Sequence, residues 1–245
     1  MKQRLLYFLL FFVIASSYVQ AQKRNLAKIN LTALPLKTYA FQYERVLNKH
    51  FSAAVSYRTM PSTGLPFRSS IVSAVGNDNA DVKKTIEDFK LTNTAVTLEV
   101  RCYLNRKGFG RGFYLAPFYR HAHFATNSLP FDYEGNNVSG TINLRGDLSA
   151  NTAGLAFGAQ WFLGKHLLLD WWIFGPHYGT GDGDFEGVSS QPLTQEEQDD
   201  LRKTLDDIDI PLTKKTVNVT ATTASMKLSG PWAGIRAGIL LGVRF

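Results

Sequence analysis

The stretch that decides the fold is AGIRAGILLGVRF, residues 233–245. Read backwards in steps of two, one face of this stretch consists of Phe245, Val243, Leu241, Ile239 and Ala237. The other face carries Arg236 among leucine and glycine residues. A period of two residues indicates a β-strand with one apolar face and one face of small or charged side chains. We expect the apolar face to contact lipid.

Alternation of this kind recurs in eight segments of roughly ten residues, which is the pattern of a transmembrane β-barrel. The segments are 25–34, 38–47, 51–60, 92–104, 113–124, 151–162, 167–177 and 232–245. We therefore predict an all-β fold, an eight-stranded antiparallel up-and-down transmembrane β-barrel. Pro117 is the misfit, because it has no N–H to donate inside the fifth segment. It predicts a bulge there or a shifted strand boundary.

One face of the first seven segments carries large apolar and aromatic side chains and no charge. Its members are Ile29, Leu31, Ala33, Tyr39, Phe41, Tyr43, Phe51, Ala53, Val55, Tyr57, Val96, Leu98, Val100, Cys102, Phe113, Leu115, Pro117, Tyr119, Leu155, Phe157, Ala159, Trp161, Leu167, Leu169, Trp171 and Ile173. A charge on the lipid face costs up to about 2–4 kcal/mol at the bilayer midplane, so its absence from every segment favours lipid contact. A soluble barrel with this face inward would be overfilled.

The opposite face combines small residues with amide and charged side chains. Its charged members are Lys28, Glu44, Arg58, Glu99, Arg101, Arg120, Asp170 and Arg236. Eight strands enclose an interior that side chains can fill, and buried charges require partners. We predict that these residues form an ion-pair network that plugs the lumen. The five bases exceed the three acids, so tyrosines, Gln42, Gln160 or water must satisfy the remainder.

The N-terminus has the pattern of a secretory signal peptide. Lys2 and Arg4 precede a short apolar run over 5–15, and Ala21 stands at the expected cleavage position. An uncleaved membrane anchor is the alternative, but the run is shorter than the roughly 20 residues that a spanning helix needs. We expect a signal peptide at 1–21 and a single outer-membrane β-barrel domain at 22–245.

The net charge of +7 does not indicate a nucleic-acid partner, because the basic residues are scattered along the chain. Cys102 is the only cysteine, so the chain has no intramolecular disulfide. Neither feature conflicts with a barrel in an outer membrane.

Short connections alternate with long ones, as in barrels with short periplasmic turns and long external loops. The long segments are 61–91, 125–150 and 178–231. Two of these loops are expected to bear short helices, at 78–89 and at 193–209, where Thr194 and Glu197 form a capping box. The loops 61–91 and 178–231 either fold over the mouth of the barrel or bind an external protein or surface ligand.

Three stretches carry a resemblance to known barrels: TYAFQYERVLNKHFSAAVSYR (38–58), GFYLAPFYRHAHF (112–124) and GAQWFLGKHLLLDWW (158–172). They are similar to a Bacteroidetes family of outer-membrane barrels, and the whole pattern resembles the OmpA/OmpX type of transmembrane domain. The resemblance implies that the last strand is a signal for the barrel-assembly machinery, carried by Ile239, Leu241, Val243 and Phe245. It implies no enzymatic activity.

Several short motifs have an alternative chemical interpretation. Asp182, Asp184 and Glu186 alternate within a glycine-rich stretch, 179–187, that could bind Ca²⁺ or form a solvated loop. His121 and His123 could hold a transition metal, but no third ligand is evident. The glycines of 108–112 favour a hairpin turn, because the phosphate-loop residues are absent.

The sequence favours a non-enzymatic outer-membrane barrel with a plugged lumen and a structural or interaction role. One alternative is a lipid-modifying enzyme that uses His123, Ser128, Asp132 and Glu134, although nothing in the sequence places a base beside a nucleophile. The other is a secreted soluble barrel that binds a small ligand. We assign no catalytic residue, metal or cofactor.

Overall fold

The computed structural model describes residues 24–64, 90–105, 108–135 and 138–245. The expected signal peptide at 1–21, the expected helix at 78–89 and most of the loop 61–91 lie outside these residues. Within them, no helix is long and apolar enough to cross a membrane.

The described chain is almost entirely β-structure with one α-helix. The elements are β1 (Asn25–Asn30), a 3-10 turn (Leu34–Leu36), β2 (Tyr39–Val46), β3 (Phe51–Thr63), β4 (Leu91–Tyr103), β5 (Gly112–Gly135), β6 (Val138–Phe162), β7 (Leu167–Val188), α1 (Gln195–Asp206), β8 (Lys214–Val219) and β9 (Thr223–Arg244).

These strands form one antiparallel sheet that closes into a ring. Each strand from β1 to β6 pairs with the strand that follows it in the chain, and β7 pairs with β9. The ring closes where β9 pairs with β1, from Leu240 to Arg244. The remaining strand, β8, pairs only with the first part of β9. It lies along the same edge of β9 as β1. The prediction of eight strands was therefore wrong for the whole sheet, although the closed ring itself uses eight of the nine.

Four strands are much longer than predicted. β5, β6, β7 and β9 have 24, 25, 22 and 22 residues, and they continue past the ring as an extension of the sheet. In the described residues, the predicted loop 125–150 and much of the predicted loop 178–231 are therefore strand. The prediction failed because the extension has a polar outward face, so the alternation of apolar outward side chains that identified the other segments ends where the extension begins.

The helix α1 packs on the inner face of this extension. Its Leu201 and Leu205 are fully buried against Ile142 and Leu144 of β6, with Val219 of β8 in the same cluster. Thr194 and Glu197 form the predicted capping box at the N-terminus of α1. The extension has its own hydrophobic core because α1 covers the apolar face that the ring no longer encloses.

Pro117 keeps its predicted place on the outward face, whereas β7 departs from the predicted alternation. Pro117 stays inside β5 without a register shift, and the ladder toward β4 has no pair at Ala116 or Pro117. The missing N–H is thus accommodated by a gap in one ladder. In β7 the register shifts after Trp172, so that Phe174 is exposed where the strict alternation had placed Ile173.

The first predicted strand ends earlier than expected. β1 stops at Asn30, and the chain turns through the 3-10 turn that contains Pro35. Ala33 is buried in this turn instead of facing outward, and Lys37 completes it in the left-handed conformation with φ 52°.

Candidate functional site

A cluster of charged side chains fills one end of the ring interior, beside the short turns. At its centre Lys28 Nζ donates to Glu44 Oε2 at 2.5 Å, Gln160 Oε1 at 2.5 Å and Asp170 Oδ2 at 2.6 Å. An ammonium group has three protons to donate, and all three are used here. The three acceptors come from β2, β6 and β7, so this single lysine joins distant parts of the ring.

Arg101 is the second organising cation of the cluster. Its Nη1 donates to Asp170 Oδ2 at 2.7 Å and Glu44 Oε2 at 3.1 Å, and its Nη2 donates to Gln42 Oε1 at 2.9 Å. The Nε of Arg101 is paired with Glu99. The guanidinium carbon also lies 4.2 Å from the centroid of the Tyr114 ring. Each of the three guanidinium nitrogens of this fully buried cation therefore has a hydrogen-bond partner.

Neutral donors complete the shells of the carboxylates. The Tyr103 hydroxyl donates to Glu44 Oε1 at 2.7 Å, and the Ser52 hydroxyl donates to the same oxygen at 2.6 Å. The Tyr114 hydroxyl donates to Asp170 Oδ1 at 2.8 Å. These donors matter because a buried carboxylate is costly unless its remaining lone pairs are hydrogen-bonded.

Arg236 forms the upper boundary of the cluster. It is ion-paired with Glu99, and its guanidinium carbon lies 3.6 Å from the centroid of the Trp172 ring. With Lys28 and Arg101, it supplies three cations for the three carboxylates of Glu44, Glu99 and Asp170. The cluster is therefore electrically balanced.

A small apolar layer closes the ring below the cluster. Leu26, Val46 and Leu168 form a buried group against which Phe109 packs. The turn that contains Gly110 folds inward, where the Gly110 carbonyl accepts a hydrogen bond from Gln160 Nε2 at 2.6 Å. A Cβ on Gly110 would lie 3.0 Å from Val46 Cγ2, and its φ of 78° also favours glycine.

Two of the eight predicted network residues lie apart from the cluster. Arg58 and Arg120 line a cavity of about 260 Å³ on the other side of Arg236 and Trp172. Within the described part of the chain, neither guanidinium forms an ion pair. The structure thus brings together Lys28, Glu44, Glu99, Arg101, Asp170 and Arg236, and leaves the two remaining arginines in a separate compartment.

Four residues of the cluster were not predicted: Tyr103, Tyr114, Ser52 and Trp172. Tyr103 is in phase with the inward Glu99 and Arg101, and Tyr114 is on the inward face of its strand, so the alternation contained the signal. The sequence predicts tyrosines as partners of the excess bases. In the structure Tyr103 and Tyr114 instead donate hydrogen bonds to carboxylates.

The outward histidines of β5 are hydrogen-bonded to β6. His121 Nδ1 lies 2.9 Å from Asn151 Oδ1, and His123 Nδ1 lies 3.1 Å from Ser149 Oγ and 3.8 Å from Asp147 Oδ2. Both contacts of His123 use the same ring nitrogen, so the imidazole cannot relay a proton from the serine to the aspartate through its second nitrogen. Ser128 instead donates to Asn143, away from His123.

The acidic stretch 179–187 is strand and not a loop. Asp182 and Asp184 project outward from β7, where Asp182 accepts a hydrogen bond from Ser229 at 2.7 Å and Asp184 pairs with Lys227 at 3.3 Å. The extended backbone cannot wrap around a cation as a calcium loop does. Among the described residues, no three His, Cys, Asp or Glu side chains lie close enough together to hold a metal ion.

The residues of the predicted assembly signal lie on the outward face of β9. Ile239, Leu241, Val243 and Phe245 all have exposed side chains, and Phe245 exchanges two backbone hydrogen bonds with Asn25. The strand that carries them is thus the one that closes the ring.

Searches with the chain against protein-family models, curated proteins and solved structures found no match.

Proposed function

We propose that this protein is an integral outer-membrane β-barrel with a plugged lumen and a structural or interaction role. The observation that carries this proposal is the combination of an exposed apolar exterior with a charged interior. The proposal includes export through the segment 1–21 and recognition of β9 by the barrel-assembly machinery. It assigns no catalytic activity.

The exterior of the ring supports contact with lipid. Large apolar side chains are exposed on every strand of the ring except β1, among them Phe41, Tyr57, Leu98, Phe113, Leu155, Trp171 and Ile239. Monomeric soluble proteins rarely expose contiguous apolar patches larger than a few hundred Å². A hydrocarbon environment removes this surface from water without a protein partner.

The height of the apolar exterior matches a bilayer. On β7 the outward side chains are apolar or aromatic from Leu167 to Tyr178, and Thr180, Asp182 and Asp184 follow. A transmembrane strand needs about 9–11 residues to cross the hydrocarbon core. Tyr119 of β5 lies level with Tyr178, because both pair with Ala153 of β6, and tyrosines suit the membrane–water interface.

Backbone pairing supports the same conclusion. A strand edge in hydrocarbon would leave N–H and C=O groups without partners, at a cost of several kcal/mol for each group. The β1–β9 pairing closes the ring from Leu240 to Arg244, and the Leu31 N–H extends it by a hydrogen bond to the Ile239 carbonyl. The extra strand β8 pairs with the polar extension and so would lie outside the membrane.

The extension is the part of the molecule that suits an interaction role. Its outward face is polar and charged, with Asp147, Asp182, Asp184 and Lys227 exposed. The apolar face of α1 is buried inside the protein, so a partner would meet the polar outer face of the strands. An external protein or surface ligand would therefore bind here through hydrogen bonds and ion pairs.

Flotation with lipid vesicles tests the membrane assignment. Protein refolded in the presence of phosphatidylcholine vesicles should rise with the lipid in a density gradient and should resist extraction by alkaline carbonate. Expression in a Gram-negative host should place the chain in the outer-membrane fraction. A folded, detergent-independent protein that stays in the dense fraction would contradict the proposal and favour a soluble barrel.

A further inference from the structure

The cavity inside the ring differs in character from the charged cluster beneath it. It exists because inward positions of β2, β4 and β5 carry the small side chains of Ala40, Ala95 and Ala122. Arg236 and Trp172 separate it from the cluster. Its volume of about 260 Å³ is below the roughly 300–1,000 Å³ of pockets that hold drug-sized ligands, so its occupant would be small.

The charge of the cavity is entirely positive among the described residues. Its lining includes Arg58, Arg120 and Arg236 together with His177, and it includes no aspartate or glutamate. Arg236 is neutralised by Glu99. Among the described residues, the buried Arg58 Nε has no hydrogen-bond partner, and Arg120 has one long hydrogen bond, from Nη1 to Thr97 Oγ1 at 3.4 Å.

The contrast with Arg101 shows what these two guanidiniums lack. Arg101 has three carboxylates and two amide oxygens around it. A buried guanidinium without a counter-charge costs several kcal/mol, because desolvation is not repaid. Guanidinium groups bind carboxylate and phosphate groups with two parallel hydrogen bonds, so Arg58 and Arg120 present unused donors of the geometry that an oxyanion requires.

The remaining wall of the cavity suits an apolar or aromatic body. Phe124 and Trp232 contact each other with ring centroids 5.3 Å apart, and both line the cavity with Trp172. His177 has a buried Nδ1 that has no hydrogen-bond partner among the described residues. Gly234 permits this arrangement, because a Cβ there would lie 2.7 Å from the imidazole ring.

We propose that this cavity binds a small organic anion, whose carboxylate or phosphate group contacts Arg58 and Arg120 while its apolar part packs against Trp232 and Phe124. The site belongs to the interior of the closed ring. The proposal therefore goes beyond the membrane assignment and does not depend on it.

Isothermal titration calorimetry on the full chain, folded in detergent in a low-chloride buffer, tests the proposal. The probes are benzoate and phenyl phosphate, and benzamide is the neutral control of the same shape. We expect at least one anion to bind with a measurable heat and to quench tryptophan fluorescence, and benzamide to bind at least tenfold more weakly. Absence of binding by both anions, or equal binding of benzamide, would overturn the proposal.

Variants locate the site. Arg58→Met and Arg120→Met should each weaken binding of the anion at least tenfold, whereas Arg145→Met removes an exposed guanidinium outside the ring and should leave the affinity unchanged. Circular dichroism and heat-dependent gel migration establish that each variant is folded. Equal loss in Arg145→Met, or full affinity in both folded interior variants, would refute the assignment. If an interior variant does not fold, the comparison of anion with benzamide on the unaltered chain decides.

Discussion

At the scale of single residues, arginine side chains have two different environments inside the ring. Arg101 is fully buried and contacts Glu44, Glu99 and Asp170, whereas Arg58 has no carboxylate partner in the described chain. Burying a charge is favourable only when its partners replace the lost water. The two arginines should therefore contribute to the stability of the fold with opposite sign.

We expect Arg101→Met to destabilise the folded protein by about 3–5 kcal/mol, because it leaves buried carboxylates with fewer cations. Urea unfolding in lipid vesicles, followed by tryptophan fluorescence, measures the free energy of unfolding. Arg58→Met is the matched control and should be neutral or stabilising, since it removes a partly buried charge that has no ion pair in the described chain. Similar losses in the two variants would show that the ion pairs of Arg101 contribute nothing specific.

At the scale of elements, β9 has two environments along one outward face. Its second half carries exposed apolar side chains from Ile235 to Val243, and its first half carries Ser225, Lys227 and Ser229. The change occurs near the level at which β7 passes from Tyr178 to Thr180, because these residues pair with Ala233 and Pro231. One strand thus carries both the apolar exterior of the ring and the polar exterior of the extension.

A charge placed on this strand should be costly only within the apolar half. We expect Ile239→Arg to destabilise the vesicle-inserted protein by about 2–4 kcal/mol, because the proposed membrane orientation puts this outward side chain in the hydrocarbon. Asn143→Arg, on the exposed outward face of the extension, should change the free energy of unfolding by less than about 0.5 kcal/mol. Equal and small effects at the two positions would mean that the exterior of the ring faces water.

At the scale of the whole molecule, the interior is layered. The apolar group of Leu26, Val46 and Leu168 closes one end, the charged cluster lies above it, and the cationic cavity follows. An eight-stranded ring is narrow enough for side chains to fill its interior. In the described residues, the apolar group and the charged cluster together occupy one end of the ring interior with buried side chains.

We expect the purified protein to show no stable conductance of porin size in planar bilayers. The physical reason is that the charged cluster holds its side chains by ion pairs between distant strands, so that opening a path would break several of them together. A general porin added to the same bilayer serves as the positive control. Stable channels of porin size in the unaltered protein would contradict the plugged lumen and make passive transport the leading function.

The sequence alone predicted the all-β class, most residues of the outward face and the inward position of the charges. These follow from the alternation of side chains along each strand, which is a local property of the chain. It also predicted the capping box of α1, because the cap depends on residues three apart. The extension of β5, β6, β7 and β9 was not predicted, because its outward face is polar and its sequence lacks the alternation of apolar side chains.

Only the tertiary structure decided which inward charges meet. Lys28 and Asp170 are 142 residues apart in the chain, and Arg101 and Glu44 are 57 apart. Alternation states that each of these side chains points inward, but its height in the ring depends on the stagger between neighbouring strands. That stagger is set by the pairing of all the strands together, which is why six charges form a balanced cluster and Arg58 and Arg120 remain in the cavity above it.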